Sequence, residues 1–268
     1  MKPALSIVIP AYNEEGRIRP TLEKILDFAS SRTLSTEVVV VDDGSTDDTS
    51  GVVADMESRY RSAGVNLRVL VNTPNRGKGY SVKRGVFESL GEIVLFTDAD
   101  LSSPISEAPK LIDPIARGEA DFVFGSRALN RELIGVRQPL YRDFGGRIFN
   151  LFVKTIAGLK FKDTQCGFKA FRREAALPVF ALQQVERFGF DPEILYIAKK
   201  RRLKLLEAPV VWNDVAGTRI SYFRDSAAMF ADLLLIRWND LRGRYNLPDD
   251  WVAPSSADEA TLMGRGKR

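Results

Sequence analysis

Glu92-Ile93-Val94-Leu95-Phe96-Thr97-Asp98-Ala99-Asp100 is an apolar run that ends in two carboxylates. The run reads as a buried strand. Carboxylates at its C-terminal end stand where open α/β sheets hold their ligands. Placed one residue apart, Asp98 and Asp100 can grip a divalent cation and a nearby polar group together. A hard cation held by few carboxylates, with positions left for phosphate oxygens, is the usual Mg²⁺ arrangement. Asp-x-Asp also occurs in ordinary turns, so the surroundings decide its meaning.

Upstream, residues 5–9 and 37–41 read as strands, the second apolar enough to be buried on both faces. Residues 66–71 give a third strand and 93–96 the fourth. Helical patterns fall between them: one through Leu22, Ile25, Leu26 and Phe28, one over 49–61 entered through the capping cluster Ser45-Thr46-Asp47, and one over 79–90. This alternation predicts a doubly wound, mostly parallel sheet with helices on both faces. Downstream the pattern loosens. Strands are expected over 121–125, 168–172 and 205–211, and helices over 140–159, 192–202 and 225–241. Residues 1–220 read as the main domain, 221–246 as an amphipathic C-terminal helix, and 247–268 as a polar, mobile tail.

Composition excludes much else. A chain of 268 residues with 44% hydrophobic and 28% charged residues can bury a sizeable core. Its formal net charge of +4 suits an acidic ligand or anionic surface rather than nucleic acid. No stretch approaches the ~18 apolar residues of a membrane span, and the N-terminal residues lack the pattern of a signal peptide. The single cysteine, Cys166, fits a reducing cytoplasm. Histidine is absent, which removes the Ser-His-Asp triad, imidazole bases and histidine-ligated zinc.

Three strand ends carry polar signatures: Pro10-Ala11-Tyr12-Asn13-Glu14, Asp42-Asp43-Gly44-Ser45 and Asp98-Ala99-Asp100. In a doubly wound sheet such ends converge on one crevice. Tyr12 can stack on a nucleobase and Asp43 can accept from an imide N–H, although Asp42-Asp43-Gly44 taken alone also reads as a strand-to-helix turn. Asn75-Arg76-Gly77-Lys78-Gly79 favours anion contact at a helix start but is no Walker A loop, since Asn72 stands at its first glycine and Gly79 at its Ser/Thr. Neither acidic cluster is an EF-hand loop, and no G-x-G-x-x-G is present.

Together these segments resemble a family-2 glycosyltransferase with the GT-A fold, over about residues 4–215. Gly125-Ser126-Arg127, Asp163-Thr164-Gln165-Cys166-Gly167-Phe168-Lys169 and Phe188-Gly189-Phe190-Asp191 resemble the polyprenyl-phosphate branch of dolichyl-phosphate glucosyltransferases and mannosyltransferases. Asp98 to Ser102 and Trp212-Asn213-Asp214 look closer to the glucosyl members. The resemblance implies an inverting transfer of a hexose from a nucleotide sugar, UDP-glucose or GDP-mannose with glucose favoured, to a polyprenyl phosphate. It implies that Pro10, Tyr12, Glu14, Val41 and Asp43 hold the nucleoside, with Lys78 near the base. It places Asp98 and Ala99 on the ribose or sugar, Asp100 on Mg²⁺ or Mn²⁺, and Arg127 on the acceptor phosphate. Ser102 stands where mannosyl members usually carry a glutamine beside the metal, and its shorter side chain is expected to reach the ion only through water. Asn213 replaces a basic residue of some members, while Arg219 fits a second basic position.

A sugar hydroxyl needs a base to attack, whereas a lipid monophosphate is already ionised near neutral pH. Asp163 is the candidate base if one is required; otherwise it is a structural aspartate bonding backbone at Thr164 or Gly167. The 140–159 helix carries Tyr141, Phe144, Ile148, Leu151, Phe152 and Leu159 on a wide apolar face, and the last helix adds Met229, Phe230, Leu233, Leu234, Trp238 and Leu241. Such faces lie in a membrane interface or pack on the core. A peripheral position on the cytoplasmic face of a membrane is expected. Lys199 to Lys204 reads as a solvated helix end whose helix opens with Asp191 as N-cap and Pro192 at N1. The alternatives are a GT-A transferase with a soluble or polysaccharide acceptor, and a non-catalytic nucleotide-sugar-binding scaffold.

Overall fold

The computed structural model describes residues 2–136, 140–215, 222–247 and 251. The chain forms strands β1 (Leu5–Ala11), β2 (Thr36–Asp42), β3 (Asn66–Val71), β4 (Ile93–Thr97), β5 (Phe122–Ser126), β6 (Ile134–Val136), β7 (Phe168–Arg172), β8 (Leu205–Pro209) and β9 (Trp212–Asn213). Its helices are α1 (Glu15–Ser30), α2 (Thr49–Ser62), α3 (Lys78–Glu88), α4 (Pro109–Ala116), α5 (Leu140–Ile156), α6 (Arg173–Leu182), α7 (Phe190–Lys200) and α8 (Tyr222–Leu241). Seven strands make one sheet in the order β3-β2-β1-β4-β7-β5-β8, and β6 pairs with β9 in a separate ribbon. All neighbours in the large sheet are parallel except β7, which runs antiparallel to β4 and β5.

Strand alternation divides the core in two. Leu5, Ile7, Ile9, Val38 and Val40 face a layer built by Ile18, Leu22 and Ile25 of α1, Val53, Met56 and Tyr60 of α2, and Leu111 and Ile115 of α4. Val8, Val39, Val41, Phe96, Phe122 and Phe171 face the other layer, built by α3 and α5 to α8 through Val82, Val86, Val153, Phe180, Ile194, Leu233 and Ile236. Helix α3 lies close on the sheet because Gly85 has no side chain: a Cβ there would come within 2.3 Å of Val8 Cγ1. The order reverses beside β1, since β2 lies on one side of it and β4 on the other. That switch point opens the crevice for the site.

Three local expectations are corrected. Helices α4 and α6 carry internal prolines, Pro114 and Pro178, which hid them from the periodicity reading. Helix α2 has Asp48 at its N-cap position without a side-chain cap bond; within the expected cluster Asp47 Oδ1 accepts the Thr49 amide at 3.1 Å, while Ser45 and Thr46 bond across to the first strand-end loop. Helix α7 begins at Phe190 with Gly189 as N-cap, so Asp191 lies inside its first turn and is free to pair elsewhere. Leu247 and Trp251, at the start of the expected tail, pack against the second core, and its remaining positions lie outside the described residues.

Candidate active site

The loops after β1 and β2 are stitched together. Asn13 adopts a left-handed φ of 55°, its N–H donates to Ser45 Oγ at 2.8 Å, and its Oδ1 accepts from Thr46 N at 2.7 Å. Asp43 N–H donates to Ala11 O at 2.8 Å, and Glu14 N–H donates to Thr49 Oγ1 at 2.8 Å. Pro10 and fully buried Val41 form the floor beneath these loops. Glu14 is forked by Arg17, while Tyr12 keeps 40% exposure at the rim.

Asp43 is almost fully buried, and its carboxylate organises the loop that precedes α3. Oδ1 accepts from Asn72 Nδ2 at 2.7 Å and from Arg76 N at 3.0 Å, and Oδ2 accepts from Gly77 N at 2.7 Å. The amides that an anion-binding loop would offer outward thus hold an internal anion. Gly77 has φ 105°, and a Cβ on it would meet Glu186 O at 2.6 Å. A Cβ on Gly79 would meet Phe190 Cβ at 2.7 Å. These glycines let the first turn of α3 lie flush against 185–190, with Arg76 paired to Glu186 at 2.5 Å over the Tyr80 ring.

Lys78, at the start of α3, reaches Asp98 with Nζ 2.6 Å from Oδ1. Burial opposes its charge, but Asp98 and Asp191 outweigh that and hold the ammonium above the usual lysine value. Burial pushes the Asp98 carboxyl up, opposed by Lys78 and helped by Asp100. Ala99 is buried, and its carbonyl accepts from Thr21 Oγ1 at 2.6 Å. Leu101 takes a left-handed φ of 48°, a strained turn for a branched residue. That turn brings Ser102 N–H to Asp100 Oδ1 at 2.9 Å. Ser102 O in turn accepts from Asn213 N at 2.8 Å, which ties the β6–β9 ribbon to the Asp-Ala-Asp loop.

On the other side of the crevice Arg127 forks onto Asp163, with Nε–Oδ2 at 2.6 Å and Nη2–Oδ1 at 2.9 Å. Asp163 also accepts from the Arg127 and Gln165 amides. Burial raises its proton affinity, but the Arg127 guanidinium and these bonds hold the carboxyl below the usual carboxylate range. The backbone partners are therefore Arg127 and Gln165 rather than Thr164 or Gly167. Trp212 lies 5.5 Å from the Arg127 guanidinium. Arg219 lies outside the described residues.

The pairing of two charged residues, quoted above only within motifs and as a helix cap, went unread in the sequence. Lys169 on β7 is wholly buried and pairs with Asp191 of α7 at 2.5 Å. The signal was available: a lysine inside the apolar strand Phe168–Arg172 needs a buried counter-charge, and Asp191 lies in the adjacent motif.

Helices α5 and α8 pack side by side, Phe152 against Phe230 with centroids 4.9 Å apart. Val153, Leu233 and Ile236 turn inward to the core, while Phe144 (66% exposed), Leu151, Leu234, Trp238 and Leu241 (75%) turn outward. Gln165 Nε2 touches Met229 Sδ at 3.9 Å, so this apolar face adjoins the segment that carries Asp163. Among the described residues no helix is long and apolar enough to cross a membrane.

The sequence profile of the family described as "Glycosyl transferase family 2" matches residues 6–180. A dolichyl-phosphate beta-glucosyltransferase of Dictyostelium discoideum is 34% identical, over 91% of this chain and 76% of the relative. Another, of Homo sapiens, is 37% identical over 91% of this chain and 78% of that protein. In shape the chain is similar to glucosyl-3-phosphoglycerate synthase of Mycobacterium tuberculosis, solved with Mn²⁺, UDP-glucose and phosphoglyceric acid. The TM-score is 0.61 at 22% identity, covering 92% of this chain and 81% of the other. That likeness shows the fold, the seven-stranded, mostly parallel sheet expected for GT-A. By profile, relatives and fold together, the chain belongs to glycosyltransferase family 2, in its polyprenyl-phosphate glucosyltransferase branch.

Proposed function

We propose that this protein transfers glucose from UDP-glucose, with inversion, to the phosphate of a polyprenyl lipid of the dolichyl type at a membrane surface. The observation that carries the reading is identity of 34–38% to dolichyl-phosphate beta-glucosyltransferases. The crevice is consistent with it. Pro10, Tyr12, Glu14, Val41 and Asp43 surround a nucleoside position at the β1 and β2 ends, and Asp43 acts by holding the Asn72–Lys78 loop in place. On this reading Asp98 and Ala99 face the ribose or sugar, and Lys78, expected near the base, pairs with Asp98 and brings a charge that suits a diphosphate donor.

Asp100 and Ser102 present hard oxygens without nitrogen or sulfur, a donor set that fits Mg²⁺ or Mn²⁺. No cluster of three or more ligating side chains occurs among the described residues, so Asp100 would share such an ion with diphosphate and water. The ion when bound neutralises the departing nucleoside diphosphate. Arg127, held by Asp163 and backed by Trp212, would grip the acceptor phosphate. Asp163 is then a positioning group, since an ionised phosphate needs no base.

The outward apolar face of α5 and α8 supplies the lipid contact, with exposed Lys154 and Arg242 on the same two segments to meet anionic headgroups. A peripheral position is part of this reading, with the cytoplasmic face of the membrane as its expected side. Its test is to offer radiolabelled UDP-glucose and GDP-mannose separately with polyprenyl phosphate and Mg²⁺, then extract the lipid. Label from UDP-glucose alone is expected. Label from GDP-mannose alone would make it a mannosyltransferase, and label in neither would favour a soluble acceptor.

A further inference from the structure

A lysine with no exposed surface sits on β7 directly opposite Phe96 of β4. Taking an ammonium and a carboxylate out of water costs several kcal/mol per ion, so Lys169 and Asp191 are an expensive way to fill a core. The pair must do something that an apolar pair would not.

Its hydrogen bonds show what that is. Lys169 Nζ donates to Asp191 Oδ1 and to Cys166 O, both at 2.5 Å. The next carbonyl along, Gly167 O, accepts from Asp98 N at 3.2 Å. Gly167 also backs the Asp98 side chain so closely that a Cβ there would lie 2.0 Å from Oδ2. From the other side Lys78 Nζ holds Oδ1 at 2.6 Å. Asp98 is thus gripped between Lys78 and the Cys166-Gly167 turn, and the buried lysine pins that turn. Both ammonium groups lie near the Phe96 ring, at 5.4 Å and 6.0 Å from its centroid.

We infer that Lys169, locked by Asp191, is a positioning residue that sets the Asp98 carboxylate for the sugar donor by fixing the Cys166-Gly167 turn. This rests on the reading above that Asp98 faces the donor. Removing one ion alone strands the other in the core and threatens folding, so the informative variant removes both.

The test compares wild type with Lys169→Met/Asp191→Leu, Gly167→Ala and Asp98→Asn. Each is assayed for melting temperature and for steady-state kinetics with UDP-glucose, polyprenyl phosphate and Mn²⁺. The double variant should keep a melting temperature near that of wild type and lose ~10- to 100-fold in kcat/KM for UDP-glucose, with KM for the lipid unchanged. Gly167→Ala leaves the ion pair intact and presses on Asp98 directly, so it should show the same selective loss even if the double variant does not fold. Wild-type donor kinetics in either folded variant, or equal losses toward both substrates, would overturn the inference. Asp98→Asn separates the two levels. If it impairs donor use and the other variants do not, the positioning role alone fails. If Asp98→Asn itself leaves donor kinetics unchanged, the donor reading of Asp98 fails and the inference falls with it.

Discussion

Asp163 accepts from Arg127 three times, through Nε at 2.6 Å, Nη2 at 2.9 Å and the backbone amide at 3.1 Å. A carboxylate so occupied and held below its usual range is a poor proton acceptor. We therefore expect Asp163→Asn to lose about 1–3 kcal/mol of stability through the broken fork, yet to keep activity within about tenfold of wild type. On the proposed function Asp100→Asn should fold normally and lose at least ~100-fold, because Asp100 would then act on the charge of the leaving group. Lipid-extractable radiolabel from the folded variants decides the matter; equal losses would return Asp163 to the role of base.

Asp43 makes its contribution through the loop it organises. Asp43→Asn replaces one oxygen by an NH₂ that must face N–H groups of 76 or 77, leaving a buried donor unsatisfied. The expected penalty is about 1–3 kcal/mol of stability, with a weaker grip on UDP because Lys78 loses its support. Calorimetric titration with UDP and Mn²⁺ reads this directly. Unchanged affinity would show that the loop holds its shape without Asp43.

Glu193 gives the fold a pH dependence of known sign. It is wholly buried and accepts from Gln184 N, Val185 N and the Tyr245 hydroxyl, yet burial pushes its carboxyl up to about 7 from an ordinary 4.5. The folded chain binds this proton more tightly than the unfolded one. Its stabilising share is full below the unfolded value and is lost as pH rises through the folded value. Between about pH 5 and pH 8 this group should remove on the order of 2–3 kcal/mol. Glu193→Gln cannot titrate, so the gap between its urea midpoint and that of wild type should change across that window. Parallel profiles would assign the pH dependence elsewhere.

The α5–α8 face offers a separate check. Leu151→Asn/Leu241→Asn removes two outward apolar side chains while leaving Val153, Leu233 and Ile236 in the core. At about 1.5 kcal/mol for each side chain that enters the lipid, affinity for liposomes carrying anionic lipid should fall by about 100-fold. Flotation gradients measure it, with UDP binding as a control that should stay constant. Equal flotation of the two proteins would place these helices away from lipid.

The β1–β4 half of the molecule was legible because its signals are local. Strands of four or five aliphatic residues ending in Asp42-Asp43 and Asp98-Ala99-Asp100 state both their burial and their polarity, and β1 to β4 follow them closely. Relations between distant segments were not legible. Spacing does not reveal that Asp43 closes on Arg76 and Gly77, or that Lys169 finds Asp191 across 22 residues. Proline within α4 and α6 obscured their periodicity, and the antiparallel course of β7 has no mark in its composition.

That reversed strand has a topological consequence. Running against its neighbours, β7 delivers to the crevice the residues that precede it, so 163–167 arrive at the same rim that Arg127 leaves at the end of β5. Everything between, including β6 and α5, is a single excursion whose two ends are fastened by one ion pair. On the proposed function the protein is a fixed nucleotide-handling platform with a cassette inserted between β5 and β7. A cassette of different length or polarity could redirect transfer to another acceptor while β1 to β4 and the loops they carry stayed as they are.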